Sequence, residues 1–216
     1  MFPRLYAILD TDLAARRELS PLAVLDVWLD AGITLIQLRA KTMAAGAMLE
    51  LADEMARRCR QCGAQFVVND RADVARLCGA DGVHVGQDDL RPDRLRALLP
   101  EPAIVGFSTH NAQQVQDACS QPVSYLAIGP VFGTTSKERP DPVVGVEGVR
   151  MAVAVASPRS LPVVAIGGIS IKRAPDVLAA GAASVAVISD LLVGDLASRA
   201  REFLDAVGRS DGGPSS

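Results

Sequence analysis

The stretch Cys62-Gly63-Ala64-Gln65-Phe66-Val67-Val68-Asn69-Asp70-Arg71 closes an amphipathic segment, then opens an apolar run that ends in polar residues. The same punctuation recurs along the chain. Ala31-Gly32 precedes Ile33-Thr34-Leu35-Ile36-Gln37-Leu38. Cys78-Gly79 precedes Asp81-Gly82-Val83-His84-Val85, and Ala180-Gly181 precedes Ser184-Val185-Ala186-Val187-Ile188. A glycine just past a helix supplies its left-handed cap. The apolar runs that follow suit strands buried on both faces. Leu5–Leu9, Ala103–Phe107, Ser124–Ile128 and Pro162–Ile166 read the same way, which makes eight expected strands.

Helical spacing fills the gaps. Ser20-Pro21 is an expected N-cap with proline at the first helical position, and Leu22, Leu25 and Leu29 then share a face. Met48, Leu51, Met55 and Cys59 recur likewise. Strand–helix alternation implies parallel strands joined by crossovers. Eight such units predict a (β/α)8 TIM barrel, an α/β fold typically of about 250 residues, slightly longer than this chain of 216. An open doubly wound sheet is the runner-up, but neither G-x-G-x-x-G after a strand nor a Walker A motif supports it. One barrel domain is expected over residues 1–207, with a polar, disordered tail over 208–216.

A formal net charge of −3 argues against a broad basic face for nucleic acid. No polybasic patch suggests membrane-surface binding, and no apolar run approaches the roughly 18 residues of a transmembrane helix. Met1–Tyr6 runs straight into a strand-like pattern, so no secretory signal is expected. Four cysteines then read as reduced cytosolic thiols in a cytoplasmic protein. Cys59 and Cys62 form a C-x-x-C at a helix end, where a redox pair would want a helix N-terminus and zinc a second pair. They read as ordinary helix positions. Aromatic residues are only 4% of the chain, so the core must rest on Ala, Val, Leu and Ile.

A barrel carries its active site at the C-terminal ends of its strands, and polar residues follow the apolar runs here. Gln37, Arg39 and Lys41 alternate toward one side. Two cations and an amide suit a phosphate or diphosphate. Asp70 and Asp89, or Asp88, come to the same rim from neighbouring strands. They would hold Mg²⁺, which leans on substrate phosphates, or else cap the helices that follow. Ser108 is placed to hydrogen-bond a substrate, and His84 reads as a packed, hydrogen-bonded histidine. A nucleophilic serine needs a base in reach, and the sequence does not place one there. Gly129–Lys137 is a candidate anion-binding loop. Gly168 and Ser189 follow the seventh and eighth strands, the usual phosphate site of this fold. Two anion sites on one rim fit the joining of two phosphorylated substrates.

Taken together, Gln37-Leu38-Arg39-Ala40-Lys41, Val68-Asn69-Asp70-Arg71, His84–Asp89, Ser108-Thr109-His110, Gly129–Phe132, Thr134-Thr135-Ser136-Lys137 and Ile166–Ile169 resemble the thiamine phosphate synthase family from Tyr6 to about Ser189. The resemblance implies a transferase of thiamine biosynthesis. It would condense 4-amino-2-methyl-5-(diphosphooxymethyl)pyrimidine with thiazole phosphate, giving thiamine phosphate and pyrophosphate. By that pattern Gln37, Arg39, Lys41 and Asn69 bind the pyrimidine diphosphate and Asp70 and Asp89 bind Mg²⁺. Ser108 contacts the pyrimidine and Lys137 the diphosphate. Thr134, Thr135, Ser136, Gly168, Ile188 and Ser189 hold the thiazole phosphate. Arg39, Lys41, Ser108 and Lys137 are the expected catalytic residues, and the expected partners are small molecules, with a homo-oligomer left open. The chain departs from the pattern at Gly133, where the family often has proline, and at Ser136, where threonine is common. A related tautomerase branch uses a histidine where this chain has Pro130. A ligand-binding paralogue without turnover is the third reading.

Overall fold

The computed structural model describes residues 2–133 and 141–208. Eight parallel strands close into a barrel in chain order. They are β1 Leu5–Asp10, β2 Leu35–Arg39, β3 Gln65–Asn69, β4 Gly82–Val85, β5 Ile104–Thr109, β6 Tyr125–Ile128, β7 Val163–Ile166 and β8 Ser184–Val187. Closure comes from β8 pairing back on β1, with Leu5 opposite Val185 and Ala7 opposite Val187. The helices are α1 Thr11–Arg16, α2 Pro21–Asp30, α3 Ala45–Gln61, α4 Ala72–Cys78, α5 Pro92–Leu98, α6 Ala112–Ala118, α7 Gly145–Ala156, α8 Ala174–Ala179 and α9 Leu196–Gly208.

The expected strands are all present, with ends shifted by one or two residues. Gly32, Gly63, Gly79 and Gly181 have φ of +97°, +68°, +64° and +99°, the left-handed conformation expected just past a helix. Each strand divides its side chains between two layers. Tyr6, Ile8, Leu35, Val67, Tyr125, Ala127, Val164 and Ala186 pack inside the barrel. Their neighbours, such as Ala7, Leu9, Ile36, Leu38, Phe66 and Val68, pack outward against the helices. That double burial is why the strands read as continuous apolar runs.

Three local features differ from expectation. The periodicity gave no sign of α1, a six-residue helix started by the Asp10 carboxylate, which accepts the Leu13 N–H at 2.8 Å. Ser20 does precede Pro21 of α2, but its side chain makes no capping hydrogen bond. Gly208 belongs to α9 rather than to a tail, while residues 209–216 lie outside the described residues.

All four cysteines are free. Burial pushes the Cys59 thiol up to about 12, opposite to what a reactive thiol needs. Among the described residues, no helix is long and apolar enough to cross a membrane.

Candidate functional site

A cavity of about 1230 Å³ opens at the C-terminal ends of the strands. Its wall is built from the ends of different strands: Asp10 from β1, Arg39 and Lys41 from β2, Asn69 and Asp70 from β3, His84, Gln87 and Asp89 from β4, Ser108 and His110 from β5, and Ile188 and Ser189 after β8. A smaller cavity of about 190 Å³ lies beside it, lined by Gly167, Gly168, Ile169 and Ser170 after β7 and by Ile188, Ser189 and Asp190 after β8. Ile188 and Ser189 line both cavities, so the two adjoin.

On one wall, cations stand against carboxylates. The Arg39 guanidinium donates to the Asp10 carboxylate, and Lys41 Nζ lies 2.5 Å from Asp70 Oδ2. Asp70 has φ +63°, and its N–H donates to the His84 carbonyl at 2.8 Å. Asp89 Oδ2 accepts the Gly86 N–H at 2.8 Å. The Asp89 carboxyl is raised above the usual carboxylate range, chiefly by its removal from water. The Gly86 N–H opposes that shift, and the nearby Asp70 carboxylate adds to it. Neither aspartate caps a helix. The N-cap residues of α4 and α5 are Arg71 and Arg91, without side-chain capping bonds.

Two carboxylates crowded together, one of them desolvated, are a donor set suited to a hard cation. Among the described residues no group of three or more His, Cys, Asp or Glu forms a complete metal cage. Mg²⁺ needs no such cage, since it keeps water and takes one or two carboxylates together with substrate phosphates. The residues present therefore fit that ion.

Behind this wall a polar chain descends into the barrel. Ser108 Oγ lies 2.8 Å from His84 Nε2, and His84 Nδ1 lies 2.8 Å from the Tyr125 hydroxyl. Tyr125 donates to the Tyr6 oxygen at 3.0 Å, as does Gln37 Nε2 at 3.0 Å. The imidazole that the sequence could not place does reach Ser108, but its other nitrogen faces a phenol rather than an acid. His110 is held elsewhere, its Nδ1–H donating to the Gly129 carbonyl at 2.6 Å.

Gln37 is the expected site residue whose position differs most. It is buried within the barrel and does not line either cavity. The alternation of Gln37 with Arg39 holds, but two residues along a strand also change depth: Gln37 is paired with Ile8 and Arg39 with Asp10 at the rim. Arg39, Lys41, Asn69, Asp70, Asp89, Ser108, Ile188 and Ser189 come together around the large cavity, as does Asp88, and Gly168 joins Ile188 and Ser189 at the small one. Thr134, Thr135, Ser136 and Lys137 lie outside the described residues.

Several cavity residues were missed by sequence reasoning. Asp10 ends the first apolar run, so the rule of strand ends applied to it as well. Arg16 and Arg17 also line the cavity, and Arg17 Nη1 donates to the Ser189 carbonyl at 2.9 Å. They follow from α1, which had no periodic signal.

The protein-family model described as thiamine monophosphate synthase matches residues 5–191. The thiamine-phosphate synthase of Koribacter versatilis is 48% identical over 204 residues, covering 94% of this chain and 94% of that protein. The thiamine-phosphate synthase of Methanoregula boonei is 42% identical over 181 residues, covering 82% and 81%. Among solved structures, thiamine phosphate pyrophosphorylase from Pyrococcus furiosus superposes with a TM-score of 0.85 at 31% identity, covering 97% of each chain.

Proposed function

The chain belongs to the thiamine monophosphate synthase family and is a transferase that makes thiamine phosphate; from that premise we propose how its rim brings two phosphorylated substrates together. The observation that carries the reading is the adjacency of two unlike anion sites. One is the Arg39, Lys41, Asp70 and Asp89 wall, and the other is the Gly168 pocket joined to it at Ile188–Ser189.

The pyrimidine diphosphate lies against the first wall and the thiazole phosphate in the second pocket. The bond between the pyrimidine methylene carbon and the diphosphate oxygen breaks, and its electron pair leaves with pyrophosphate. The thiazole nitrogen gives its lone pair to that carbon, forming the new C–N bond. That nitrogen carries no proton, so no general base is required. Arg39 and Lys41 face the charge that grows on the leaving oxygens, already oriented by Asp10 and Asp70. Asp70 and Asp89 would hold Mg²⁺, which when bound adds positive charge beside the diphosphate. Holding the second substrate in the adjoining pocket supplies proximity. Free thiols and the lack of a membrane-crossing helix among the described residues suit a cytoplasmic enzyme. Pro130 at the sixth-strand position weighs against the tautomerase alternative.

The test is pyrophosphate release from purified protein with Mg²⁺. Release only when both substrates are present is the expected result. Conversion of the thiazole alone, or binding of both without product, would overturn the reading. Chelation with EDTA should stop turnover and added Mg²⁺ should restore it. Asp70→Asn should raise the Mg²⁺ concentration for half-maximal rate at least tenfold, in keeping with the charge lost from the ligand set.

Gly168 offers a separate check. Its φ is +62°, and a Cβ there would lie 2.5 Å from the Gly133 carbonyl oxygen. Gly168→Ala should therefore push the loop after β7 away from the pocket. We expect KM for thiazole phosphate to rise about tenfold, roughly one hydrogen bond's worth, with KM for the pyrimidine diphosphate little changed.

A further inference from the structure

The small cavity after β7 and β8 has an unexpected residue in its wall for a phosphate pocket. Among the described residues that line it, Asp190 is the only charged one, and its charge has the same sign as the ligand's. The Asp190 carboxylate bridges two loops. Its Oδ2 accepts the Ile171 N–H at 3.2 Å, which ties the turn after β8 to the loop after β7. Its Oδ1 accepts from Arg199 Nη2, while Arg199 Nε donates to the Asp190 carbonyl at 2.9 Å. One guanidinium therefore holds both the side chain and the backbone of Asp190.

Arg199 stands on α9 and lines neither cavity. Its own helix helps to aim it. The guanidinium lies over the Phe203 ring, 5.7 Å from the centroid, with Nη1 3.4 Å from Glu202 Oε2. The Arg199 and Asp190 side chains are 26% and 23% exposed, so water screens the pair only in part. Two other arginines flank the pocket, but each donates to a carbonyl. Arg17 Nη1 reaches that of Ser189 at 2.9 Å, and Arg173 Nη1 that of Gly168 at 3.0 Å. Among the described residues, the ion pair of Asp190 is with Arg199 alone.

We infer that Arg199 is a positioning residue for phosphate binding: by holding and neutralising Asp190, it lets a carboxylate brace the pocket without repelling the ligand's phosphate. This rests on the reading of the small cavity as the thiazole phosphate site. The brace and the repulsion come from one group. The Ile171 N–H is held by the Asp190 carboxylate, yet an unpaired carboxylate would drive off a phosphate monoester, itself an anion. Arg199 separates the two effects, since it leaves Oδ2 its hydrogen bond and offsets the charge at Oδ1. The wall of Arg39, Lys41, Asp70 and Asp89 takes no part in this contact, so the pyrimidine diphosphate should be indifferent to it.

The test is steady-state kinetics of the full chain with both substrates and Mg²⁺, reading kcat and each KM separately. Arg199→Gln should raise KM for thiazole phosphate about tenfold, a modest share of what like charges cost when brought together. Its kcat and its KM for the pyrimidine diphosphate should change little. Arg199→Lys keeps the charge and should raise KM for thiazole phosphate far less. Asp190→Asn keeps an acceptor for the Ile171 N–H but no charge, and should lower that KM about threefold. The decisive variant carries both changes. Asp190→Asn added to Arg199→Gln should bring KM for thiazole phosphate back to within about twofold of the wild type. A merely structural role predicts the reverse, because the double change removes more contacts. A wild-type KM in folded Arg199→Gln, a rise in both KM values together, or a double variant no better than Arg199→Gln would overturn the inference. Should Arg199→Gln not fold, Asp190→Asn decides: a KM for thiazole phosphate that it leaves unchanged or raises would sink the proposal. Gly168→Ala keeps the pocket assignment distinct. If that variant leaves KM for thiazole phosphate unchanged, the pocket reading fails, whereas a raised KM there beside an unmoved one in Arg199→Gln removes this inference alone.

Discussion

Arg39→Ala should lower turnover about a hundredfold or more, the loss seen when a single charge-stabilising donor is removed from an active site, while the protein stays folded. The guanidinium leaves the end of β2, lines the cavity and is held by Asp10. Its fork geometry matches the oxygens of a diphosphate, which a point charge does not. Arg39→Lys should therefore recover only part of the rate. Truncation also strands Asp10, which is 4% exposed. Breaking a buried ion pair costs about 3–5 kcal/mol, but here the Asp10 carboxylate keeps the Leu13 N–H and the Arg39 side chain is 19% exposed. A smaller loss, on the order of 1–2 kcal/mol in urea unfolding, is expected. Asp10→Asn separates the two effects, since asparagine caps a helix about as well but no longer pins the guanidinium. It should lower activity without matching the stability loss of Arg39→Ala. Full pyrophosphate release by folded Arg39→Ala would remove Arg39 from the diphosphate site.

The barrel was legible because its evidence is local. A helix that ends in glycine and a strand buried on both faces leave marks within ten residues, and eight apolar runs, four of them introduced by such a glycine, leave little choice of topology. The rim was legible for a related reason: polar residues at the ends of apolar runs have nowhere to go but the C-terminal face. Depth left no such mark. Gln37 and Arg39 share a side of β2, yet one joins the interior chain and the other reaches the cavity, because the distance to the rim depends on the neighbouring strand's register. Nor does a carboxylate announce its partner. Asp70 and Asp89 were open to helix capping, and only the observed N-cap positions, Arg71 for α4 and Arg91 for α5, exclude it. The two tyrosines carried a weak signal. A chain with two tyrosines in 216 residues puts both in one interior cluster, ring centroids 5.9 Å apart, but nothing in the spacing of Tyr6 and Tyr125 joins them.

The net charge of −3 also takes on a local meaning. A diphosphate, unlike a long polyanion, needs only a few cations at one place. Lys41 and Arg39 supply them two residues apart on one strand end. Each is held in place by a carboxylate, Arg39 by Asp10 and Lys41 by Asp70.

Gly106→Ala should be strongly destabilising, with a loss of about 3 kcal/mol or more, at the upper end of overpacking. Gly106 on β5 is opposite both His84 and Tyr125 in the strand register. A Cβ there would lie 2.2 Å from Tyr125 Cζ, 2.3 Å from its hydroxyl oxygen and 2.5 Å from His84 Nδ1. The Tyr125 ring has little room to withdraw. Tyr125 is packed on its other sides by Phe2 and Tyr6, with centroids at 5.3 Å and 5.9 Å. Interiors packed to crystal-like density pass such a clash to the backbone. The added methyl should also disturb the His84–Ser108 contact at the cavity wall, so any folded fraction should show reduced turnover. Gly46→Ala is the matched control, because Gly46 lies in α3 with nothing within 4 Å of its added Cβ. There the same methyl should be neutral or stabilise by roughly 0.5 kcal/mol. Urea unfolding of the two variants side by side makes the comparison. Equal midpoints would mean that β5 does not hold the tyrosine–histidine stack in this packing.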